Sequence, residues 1–360
     1  MKKILMLTNM YPSKKYPHYG TFVKNTEDIL SDIGFKVDTI KISKHDNKII
    51  RLLSYILFCL KYFFKAFKKY DFIYIHYISH SSIPVVMFNK LFKKKNIILN
   101  VHGNDIIADR GLDFKNRGRS VKALKICSKV IVPSSYFKEV LMKNYEIDEE
   151  KIYIFPSGGI DNTLFDKEIT MEEAKNKTKL SQDRHYIGMV SRIERDKGYD
   201  TLVSAFNSIS EAYPDYDLVI IGTGDEDSYL ESIIDECNLR DRVVRVPFVK
   251  QKDLVYYYKS MDLFVLPTKR RSESLSLVGL EAFASGVLTV INTMYGPKEY
   301  ANKKNSLIYE SEESEVLSER IDDALKLSVE DKNKIIKNAH ETALKYDKSK
   351  MSSILEGIFK

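Results

Sequence analysis

Short apolar runs alternate with longer amphipathic segments along the whole chain. Six runs rich in Ile, Val and aromatic residues occupy the first 160 residues, among them KILMLTN, FIYIHYI and NIILNVHG. Five more follow, including YIGMVSR, DLVIIGTG and LTVINT. The segments between them, such as GYDTLVSAFNSISEAYPD, show the apolar spacing of helices. Strands that alternate with amphipathic helices predict an α/β protein whose parallel sheets are covered on both faces.

The two series of strands predict two Rossmann-like, doubly wound domains. A chain of 360 residues suits two domains, and the polar stretch DKEITMEEAKNKTKLSQDRH separates the two series. We expect an N-terminal domain over residues 1–165, a C-terminal domain over 166–345, and a C-terminal helix over 346–360 that packs back toward the N-terminal domain. Because open α/β sheets bind ligands beyond the carboxyl ends of their strands, we expect the site in a central cleft that the domains face.

Residues 49–69 form a predicted helix with two stripes at helical spacing. We interpret the more apolar stripe as the face that packs on the core: Ile49, Leu52, Leu53, Ile56, Leu57, Leu60, Phe63, Phe64 and Phe67. The second stripe interleaves aromatic and basic residues: Arg51, Tyr55, Phe58, Tyr62, Lys65 and Lys69. Such a face suits an anionic bilayer surface, or else packs on a neighbouring element or is solvated. The longest apolar stretch, IIRLLSYILFCL, falls short of the roughly 20 residues that span a bilayer.

Charge is divided unevenly between the two halves of the chain. Residues 1–150 hold 27 Lys and Arg against 14 Asp and Glu, whereas residues 151–360 hold 30 against 36. The basic half predicts an anionic partner: nucleic acid, lipid headgroups or a phosphorylated substrate. Three isolated cysteines argue against disulfides or a zinc site and favour a reducing cytosol.

The motif MVSRIERDKGYDTL follows the first strand of the second series and predicts an anion site. Arg192 comes at the end of that strand, and Lys197 precedes Gly198 at the expected start of a helix. Two cations beside a helix N-terminus suit a diphosphate, since the amides, the helix dipole and the side chains all attract negative charge. The alternative is a solvated, charged turn.

The stretch RSESLSLVGLEAFASG places two carboxylates around an apolar run. We expect the backbone amides near Leu277 and Val278 to open a helix that faces the ligand. Glu281 would accept hydrogen bonds from a ribose diol and Glu273 from sugar hydroxyls, because carboxylates only accept and sugars are rich in donors. The alternative for Glu281 is an exposed helix position.

Two further acidic residues, Asp225 and Asp227, form an Asp-x-Asp pattern in GTGDEDSYL. Such a pair binds a divalent metal in some sugar transferases. Here the pair precedes a predicted helix, where acidic side chains suit the first turn, so we expect no metal site.

At this point the chain resembles glycosyltransferase family 4, the retaining transferases of GT-B fold that use nucleotide sugars. The resemblance covers nearly the whole chain and rests on seven segments in family order: YPSKKYPHYGTFVKNTEDILSDIGFKV, NVHGND, VIVPSSYFKEVL, PSGGIDNTLF, SRIERDKGYDTL, IIGTGDE and the Glu-x(7)-Glu stretch. It implies a GT-B fold with two Rossmann-like domains.

The resemblance also implies roles for individual residues. Gly20 would let the backbone approach the donor phosphates, and His102 would contact the donor sugar near the reacting carbon. Arg192 and Lys197 would bind the diphosphate and stabilise the departing nucleotide. His76, also after a strand, is expected to line the cleft or to pack locally.

The remaining implied roles concern the donor's sugar and nucleoside. Glu273 would hold sugar hydroxyls and Glu281 the ribose, while the loop at Pro247 and Phe248 would border the nucleobase. The sequence departs from the family pattern at Ser276, and also at Ser274, since glycine often occupies both positions.

The implied activity is transfer of a hexose, without a metal or a bound cofactor, from a nucleotide sugar to a saccharide or lipid-linked saccharide. The expected donor is a UDP-sugar, with a GDP-sugar next. We expect a cytoplasmic protein, peripheral at the inner face of the cell membrane, in bacterial surface polysaccharide synthesis (capsule, exopolysaccharide or O-antigen). The alternatives are a GT-B epimerase or hydrolase and an inactive GT-B partner subunit. No nucleic-acid-binding module is evident, so no nucleic-acid partner is expected.

Overall fold

The computed structural model describes residues 1–16, 19–92, 96–108 and 111–360. His18, a histidine for which the sequence context indicates no function, lies outside the described residues. By its contacts the chain divides into two compact units, the first comprising Met1–Gly158 with Ser349–Lys360 and the second Gly159–Lys348. This division differs by a few residues from the sequence-based boundaries at 165 and 345.

The first unit is built on a six-stranded parallel sheet with the order β2-β1-β3-β4-β5-β6. Its strands are listed here in chain order: β1 (Lys3–Tyr11), β2 (Lys36–Ser43), β3 (Phe72–His76), β4 (Ile97–Asn100), β5 (Lys129–Val132) and β6 (Ile152–Ile154). The central strands are buried along their length, as parallel strands covered on both faces must be.

Helices connect these strands: α1 (Thr21–Asp32), α2 (Lys48–Ala66), α3 (Ile78–Ser81), α4 (Ile83–Phe92), α5 (Gly111–Leu124) and α6 (Ser135–Tyr145). One hydrophobic cluster joins α2, α4 and α6 to one face of the sheet, and another covers the opposite face with α1. Two hydrophobic layers about one sheet are the expected result of alternating strands and helices.

The orientation of α2 reverses the sequence interpretation of its two stripes. Phe58, Tyr62 and Ala66 are buried against the sheet and α4. The stripe interpreted as the core face is instead largely exposed, since nine large apolar side chains beside or within it are more than one third accessible: Ile49, Ile50, Leu52, Leu53, Ile56, Leu57, Leu60, Phe64 and Phe67. Helical spacing shows which residues share a face, but not which face meets the sheet, so the interpretation was wrong.

Polar contacts hold α2 in this orientation. Asn47 caps the helix by accepting from the amides of Ile49 and Ile50, at 2.8 and 3.2 Å. Lys65 pairs with Asp38 of β2, and the Tyr55 hydroxyl accepts from Asn9 Nδ2 at 3.1 Å. In the described part of the chain no helix is long and apolar enough to cross a membrane.

The second unit contains another six-stranded parallel sheet, of order β12-β11-β10-β7-β8-β9. Its strands are β7 (His185–Val190), β8 (Tyr216–Ile221), β9 (Val243–Val246), β10 (Leu263–Leu266), β11 (Leu288–Asn292) and β12 (Leu307–Tyr309). The sequence analysis missed β12, because three residues at a sheet edge are too short to show alternation.

The remaining helices follow in chain order; all but the last belong to this second unit, and the last, α15, belongs to the first unit. They are α7 (Asn162–Phe165), α8 (Met171–Thr178), α9 (Tyr199–Ile209), α10 (Asp227–Glu236), α11 (Leu254–Lys259), α12 (Leu277–Ala284), α13 (Ser314–Lys326), α14 (Val329–Ala343) and α15 (Lys348–Phe359). On α15, Phe359 packs its ring on Phe35, Phe72 and Tyr74 of the first unit. The last helix thus adds to the core beside β1 and β3.

Candidate functional site

A tight turn between β7 and α9 positions the two predicted cations. Arg192 follows β7, and Gly198 precedes α9 with φ +81°. A Cβ at Gly198 would lie 2.0 Å from the Pro267 carbonyl oxygen, so glycine is required by both the dihedral angle and the space. This close approach brings the turn against the segment that follows β10.

Lys197 and Glu273 form a largely buried ion pair beside that turn. Lys197 Nζ lies 2.6 Å from Glu273 Oε2, and the side chains are 13% and 9% exposed. The Thr268 hydroxyl donates to the same carboxylate oxygen at 3.0 Å. Burial by itself raises the pKa of Glu273, but the Lys197 ammonium, the Arg270 charge and the Thr268 hydrogen bond together leave the pKa below its ordinary value. The structure therefore brings together two predicted residues as a charged pair.

Arg192 is exposed and belongs to a different ion-pair network. Its side chain is 67% exposed and contacts the Glu194 carboxylate, which also pairs with Arg270 at 3.1 Å. An exposed guanidinium paired on one edge still has donors on its other nitrogens. Arg192 therefore retains donors that an arriving anion would find accessible.

The N-terminus of α12 lies in the segment that carries Glu273. Ser276 precedes the helix with φ +62°, in the left-handed region, and Leu277 and Val278 occupy its first turn. Amides of a first helical turn lack an intrahelical acceptor, so they are available to an anion. A serine thus adopts here the backbone conformation that glycine reaches without strain.

Glu281 is buried on α12 and has no cationic partner among the residues that the structure describes. Its two carboxylate oxygens accept from Gln251 Nε2 at 3.3 Å and from the Tyr258 hydroxyl at 3.0 Å. Burial raises the pKa of Glu281 despite these two donors. The exposed-helix alternative is therefore wrong, because Glu281 is only 5% accessible.

Tyr300 and Gly296 are parts of this region that the sequence analysis missed. The Tyr300 hydroxyl donates to the Ser276 carbonyl at 3.1 Å, and burial, followed by the Glu273 charge, raises the Tyr300 pKa. A Cβ at Gly296 would lie 2.4 Å from the Glu273 carbonyl oxygen. The glycine in TMYGPKEY is the sequence signal that could have identified this position. The segment that packs against it, which carries Glu273, is known only from the fold.

The remaining predicted positions of the second unit lie after β8 and β9. Pro247 and Phe248 are exposed beyond the end of β9. Asp227 pairs with Arg245 at 3.0 Å and accepts from the Gly224 amide at 3.1 Å. Among the residues that the structure describes, no cluster of three or more His, Cys, Asp or Glu side chains is arranged to hold a metal ion.

Gly20 shapes the loop that follows β1 in the first unit. It has φ +77°, and a Cβ there would lie 2.4 Å from the Met10 carbonyl oxygen. Glycine at this position is therefore required by the fold of the loop itself. Its expected approach to donor phosphates stays a prediction.

His102 follows β4 and meets His76 at the end of β3. His76 Nδ1 and His102 Nε2 are 3.0 Å apart, and the rings stack with an interplanar angle of 12°. Burial lowers the pKa of His102 to about 3 and that of His76 well below its ordinary value. Both imidazoles are therefore neutral near pH 7, and one nitrogen of the contacting pair donates to the other.

Asp105 fixes the loop that carries His102. One of its carboxylate oxygens accepts from the amides of His102 and Gly103, at 3.0 and 2.9 Å, and the other from the Ile78 amide at 3.2 Å. Burial nevertheless raises the pKa of Asp105 to about 6. Asp105 stands three residues after His102 in NVHGND, and that spacing is typical of a side chain that caps its own loop.

The chain matches two family models that together span most of its length. Residues 25–161 match the model of Glycosyltransferase Family 4, and residues 170–342 match that of Glycosyl transferases group 1. The chain belongs to glycosyltransferase family 4.

Curated relatives of this family 4 chain are about a quarter to a third identical to it within the segments that align. An uncharacterized glycosyltransferase of Methanocaldococcus jannaschii is 29% identical over 64% of this chain and 60% of its own length. The alpha-monoglucosyldiacylglycerol synthase of Acholeplasma laidlawii is 27% identical over 46% of this chain and 42% of its own length. The chain thus covers less than two thirds of the length of these curated relatives.

Solved structures show that this family 4 chain has the GT-B fold. Sucrose-phosphate synthase from Thermosynechococcus elongatus superimposes with a TM-score of 0.81 at 18% identity, covering all of this chain and 98% of the other. Anabaena HepE, solved in complex with UDP-glucose, gives 0.77 at 17% identity and covers 99% of both chains. At such identities the likeness concerns the fold.

Proposed function

We propose that this protein is a retaining glycosyltransferase that moves a hexose from a nucleoside diphosphate sugar to a saccharide or lipid-linked saccharide. The observation that carries the proposal is the buried Lys197–Glu273 pair beside the Gly198 turn and the first turn of α12. A cation and unpaired helix amides together suit a diphosphate, and a buried carboxylate suits sugar hydroxyls. Family membership and a GT-B neighbour complexed with UDP-glucose support the same donor class.

In this proposal the charge that develops on the leaving diphosphate is stabilised by fixed groups. Lys197, Arg192 and the amides of Leu277 and Val278 would face that charge, and preorganised donors of this kind supply most of the stabilisation in many enzymes. The paired Glu273 would lose part of its attraction to Lys197 as the anion arrives and would accept hydrogen bonds from the sugar.

The other predicted residues complete the donor site. Glu281 would accept from the ribose, and the loop at Pro247 and Phe248 would border the nucleobase. His102, held neutral, would exchange a hydrogen bond with the donor sugar, and Gly20 would allow backbone approach to the phosphates. A UDP-sugar is the first donor to test and a GDP-sugar the second.

We further infer that the acceptor is met at an anionic membrane surface, as in bacterial surface polysaccharide synthesis. The exposed apolar side chains of α2 and the basic first half of the chain support this inference. A named relative, the alpha-monoglucosyldiacylglycerol synthase, is a lipid-modifying enzyme by its name. Vesicles of phosphatidylglycerol should bind the protein at low salt, and vesicles of phosphatidylcholine should bind it at least tenfold less. Equal or absent binding would contradict the membrane inference.

The donor assignment is tested by a panel of nucleotide sugars in a thermal shift assay. A bound donor raises the unfolding temperature, because ligand binding stabilises the native state by RT ln(1 + [L]/Kd). Arg192→Ala should lower turnover about 100-fold without lowering stability, whereas the exposed Arg195→Ala serves as the matched control. Donor consumed equally with and without acceptor would indicate a hydrolase or epimerase, and no donor binding would indicate an inactive subunit.

A further inference from the structure

An apolar cavity of about 720 Å³ lies between α2 and α4 in the first unit. Its walls include Leu52, Ile56 and Leu60 of α2 together with Met87 and Phe88 of α4. This volume falls within the range of pockets that bind small molecules. None of the residues assigned to the donor contributes to this cavity, so it is separate from the proposed donor site.

The cavity continues into the exposed apolar face of α2. Leu53 and Leu57 on that face are 52% and 54% exposed, and they lie outside the cavity lining. Exposed apolar surface of this extent marks an interaction site.

One end of the cavity is basic. Arg119 of α5 and His80 line it, and the Arg119 charge adds to burial in lowering the pKa of His80. Burial raises the pKa of the Tyr55 hydroxyl, and the charges of Arg51 and Arg119 oppose this rise, which places both guanidinium groups near that side chain. Among the described residues, no carboxylate lies within ion-pair distance of Arg51 or Arg119. The basic end is therefore complementary to an anion.

The basic end is linked to the loop of His102. Ser120, the neighbour of Arg119 on α5, donates its hydroxyl to the Asp105 carbonyl, and the Asp105 side chain accepts from the His102 amide. Tyr55, which also lines the cavity, contacts Asn9 near the end of β1. The basic end of the cavity thus borders the carboxyl edge of the sheet, where open α/β sheets bind ligands.

We propose that this cavity binds the hydrocarbon chain of a phosphate-bearing acceptor lipid, with Arg119 at the lipid phosphate. The inference rests on the proposed function and names the place of the acceptor in it. Arg119 donates to Asn116 Oδ1 at 3.4 Å and has no carboxylate partner among the described residues. An apolar cavity lined by such a guanidinium matches a single amphiphile with an anionic head. The phosphate would be held by charge-assisted hydrogen bonds and the chain by burial.

The test uses dodecyl phosphate, below its micelle concentration, in isothermal titration with the full chain and no nucleotide sugar. We expect saturable binding of one molecule. Butyl phosphate should bind at least 100-fold more weakly, because eight fewer methylenes are buried. Dodecyltrimethylammonium, which has the same chain and a positive head, should bind at least tenfold more weakly.

Matched variants separate the cavity from the surface around it. Leu60→Gln and Arg119→Gln should each weaken dodecyl phosphate binding about tenfold. Leu57→Gln, on the same helix but outside the cavity, and Lys122→Gln, on the helix of Arg119, should leave it unchanged. If Leu60→Gln fails to fold, Met87→Trp fills the cavity from α4 with an apolar side chain and should abolish binding.

The alternative outcomes are distinct. Absent binding, or binding that Leu57→Gln and Leu60→Gln weaken equally, would overturn the cavity assignment. A dimer that both variants dissociate would also overturn the cavity assignment, because the exposed apolar face of α2 would then contact a second copy of the chain. Equal glycosylation of acceptors with one-carbon and twelve-carbon chains would overturn the lipid site and leave glycosyl transfer intact. Dodecyl phosphate binding without any glycosyl transfer would leave the lipid site intact and overturn the proposed transferase activity.

Discussion

At the carboxyl edge of the first sheet a buried and a half-buried imidazole face each other, whereas at the carboxyl edge of the second a largely buried ammonium faces a carboxylate. Both pairs lie close, with His76 and His102 3.0 Å apart and Lys197 and Glu273 2.6 Å apart. Burial lowers the pKa of each imidazole, while the Lys197 charge, with smaller contributions from Arg270 and Thr268, keeps the pKa of Glu273 low despite burial.

The difference shows how the partner decides the charge of a buried group. Like groups stay buried only if they are neutral, but opposite charges compensate each other's loss of water. The first edge therefore offers neutral hydrogen-bonding groups, and the second offers fixed charge. In the proposed reaction this division would give the first edge the uncharged sugar and the second the anionic diphosphate.

The largest expected effect comes from breaking the charged pair. Lys197→Met should lower kcat/KM about 1000-fold and destabilise the protein by about 3 kcal/mol, because it removes a phosphate donor and leaves Glu273 buried without its cation. Adding Glu273→Gln should restore stability but not turnover. Steady-state kinetics and urea unfolding measure the two quantities.

Lys269→Met is the matched control for this prediction. Lys269 pairs with Asp200 at 2.8 Å and is 18% exposed, but the proposed donor site does not include it. Its loss should change turnover less than tenfold. Turnover by Lys197→Met within tenfold of the parent would remove the reason to assign the diphosphate to this edge.

A smaller effect is expected from the neutral pair as pH falls. The folded pKa values of His76 and His102 lie below the unfolded value of about 6.5, so the unfolded state binds more protons between those values. The stability contributed by each neutral imidazole is thus fully present above about pH 6.5 and is lost as pH falls toward the folded pKa. His76→Asn should make the slope of unfolding free energy against pH shallower, by up to about 1.4 kcal/mol per pH unit between pH 4.5 and 6.5.

Urea unfolding at a series of pH values measures this slope. The unsubstituted protein, measured over the same pH series, is the reference for the slope. An unchanged slope in His76→Asn would mean that His76 is protonated in the folded protein. The proposed difference between a neutral pair at the first sheet edge and a charged pair at the second would then be wrong.

The smallest effect is expected at Glu281, which shares burial with Glu273 but has no cation. Glu281→Gln should weaken donor binding about tenfold and leave kcat nearly unchanged, since the ribose is remote from the reacting bond. Titration with the donor identified in the panel measures the affinity, and the exposed Glu319→Gln is the control. A large loss of kcat with unchanged affinity would instead place Glu281 at the reacting sugar.

Several features of the site were predictable from local sequence. The spacing of Arg192, Lys197 and Gly198 after a strand predicted a cationic turn, and the structure requires glycine there because Pro267 approaches its backbone. The pairing of Lys197 with Glu273 was not predictable, since 76 residues separate them. Arg192 and Lys197 appear equivalent in sequence, yet one is exposed and the other buried.

The sequence by itself determined the alternation of strands and helices, apart from the short β12, and the residue types at both sheet edges, because these depend on local periodicity and spacing. The resemblance to the family rested on seven segments that occur in family order. Only the tertiary structure decided which stripe of α2 is buried, which carboxylate has a cation, and which histidine contacts His102. Those outcomes depend on contacts between segments far apart in the chain. Local sequence pattern constrains the secondary structure of each segment, but the burial and the charge of its side chains depend on the residues that the fold places next to them.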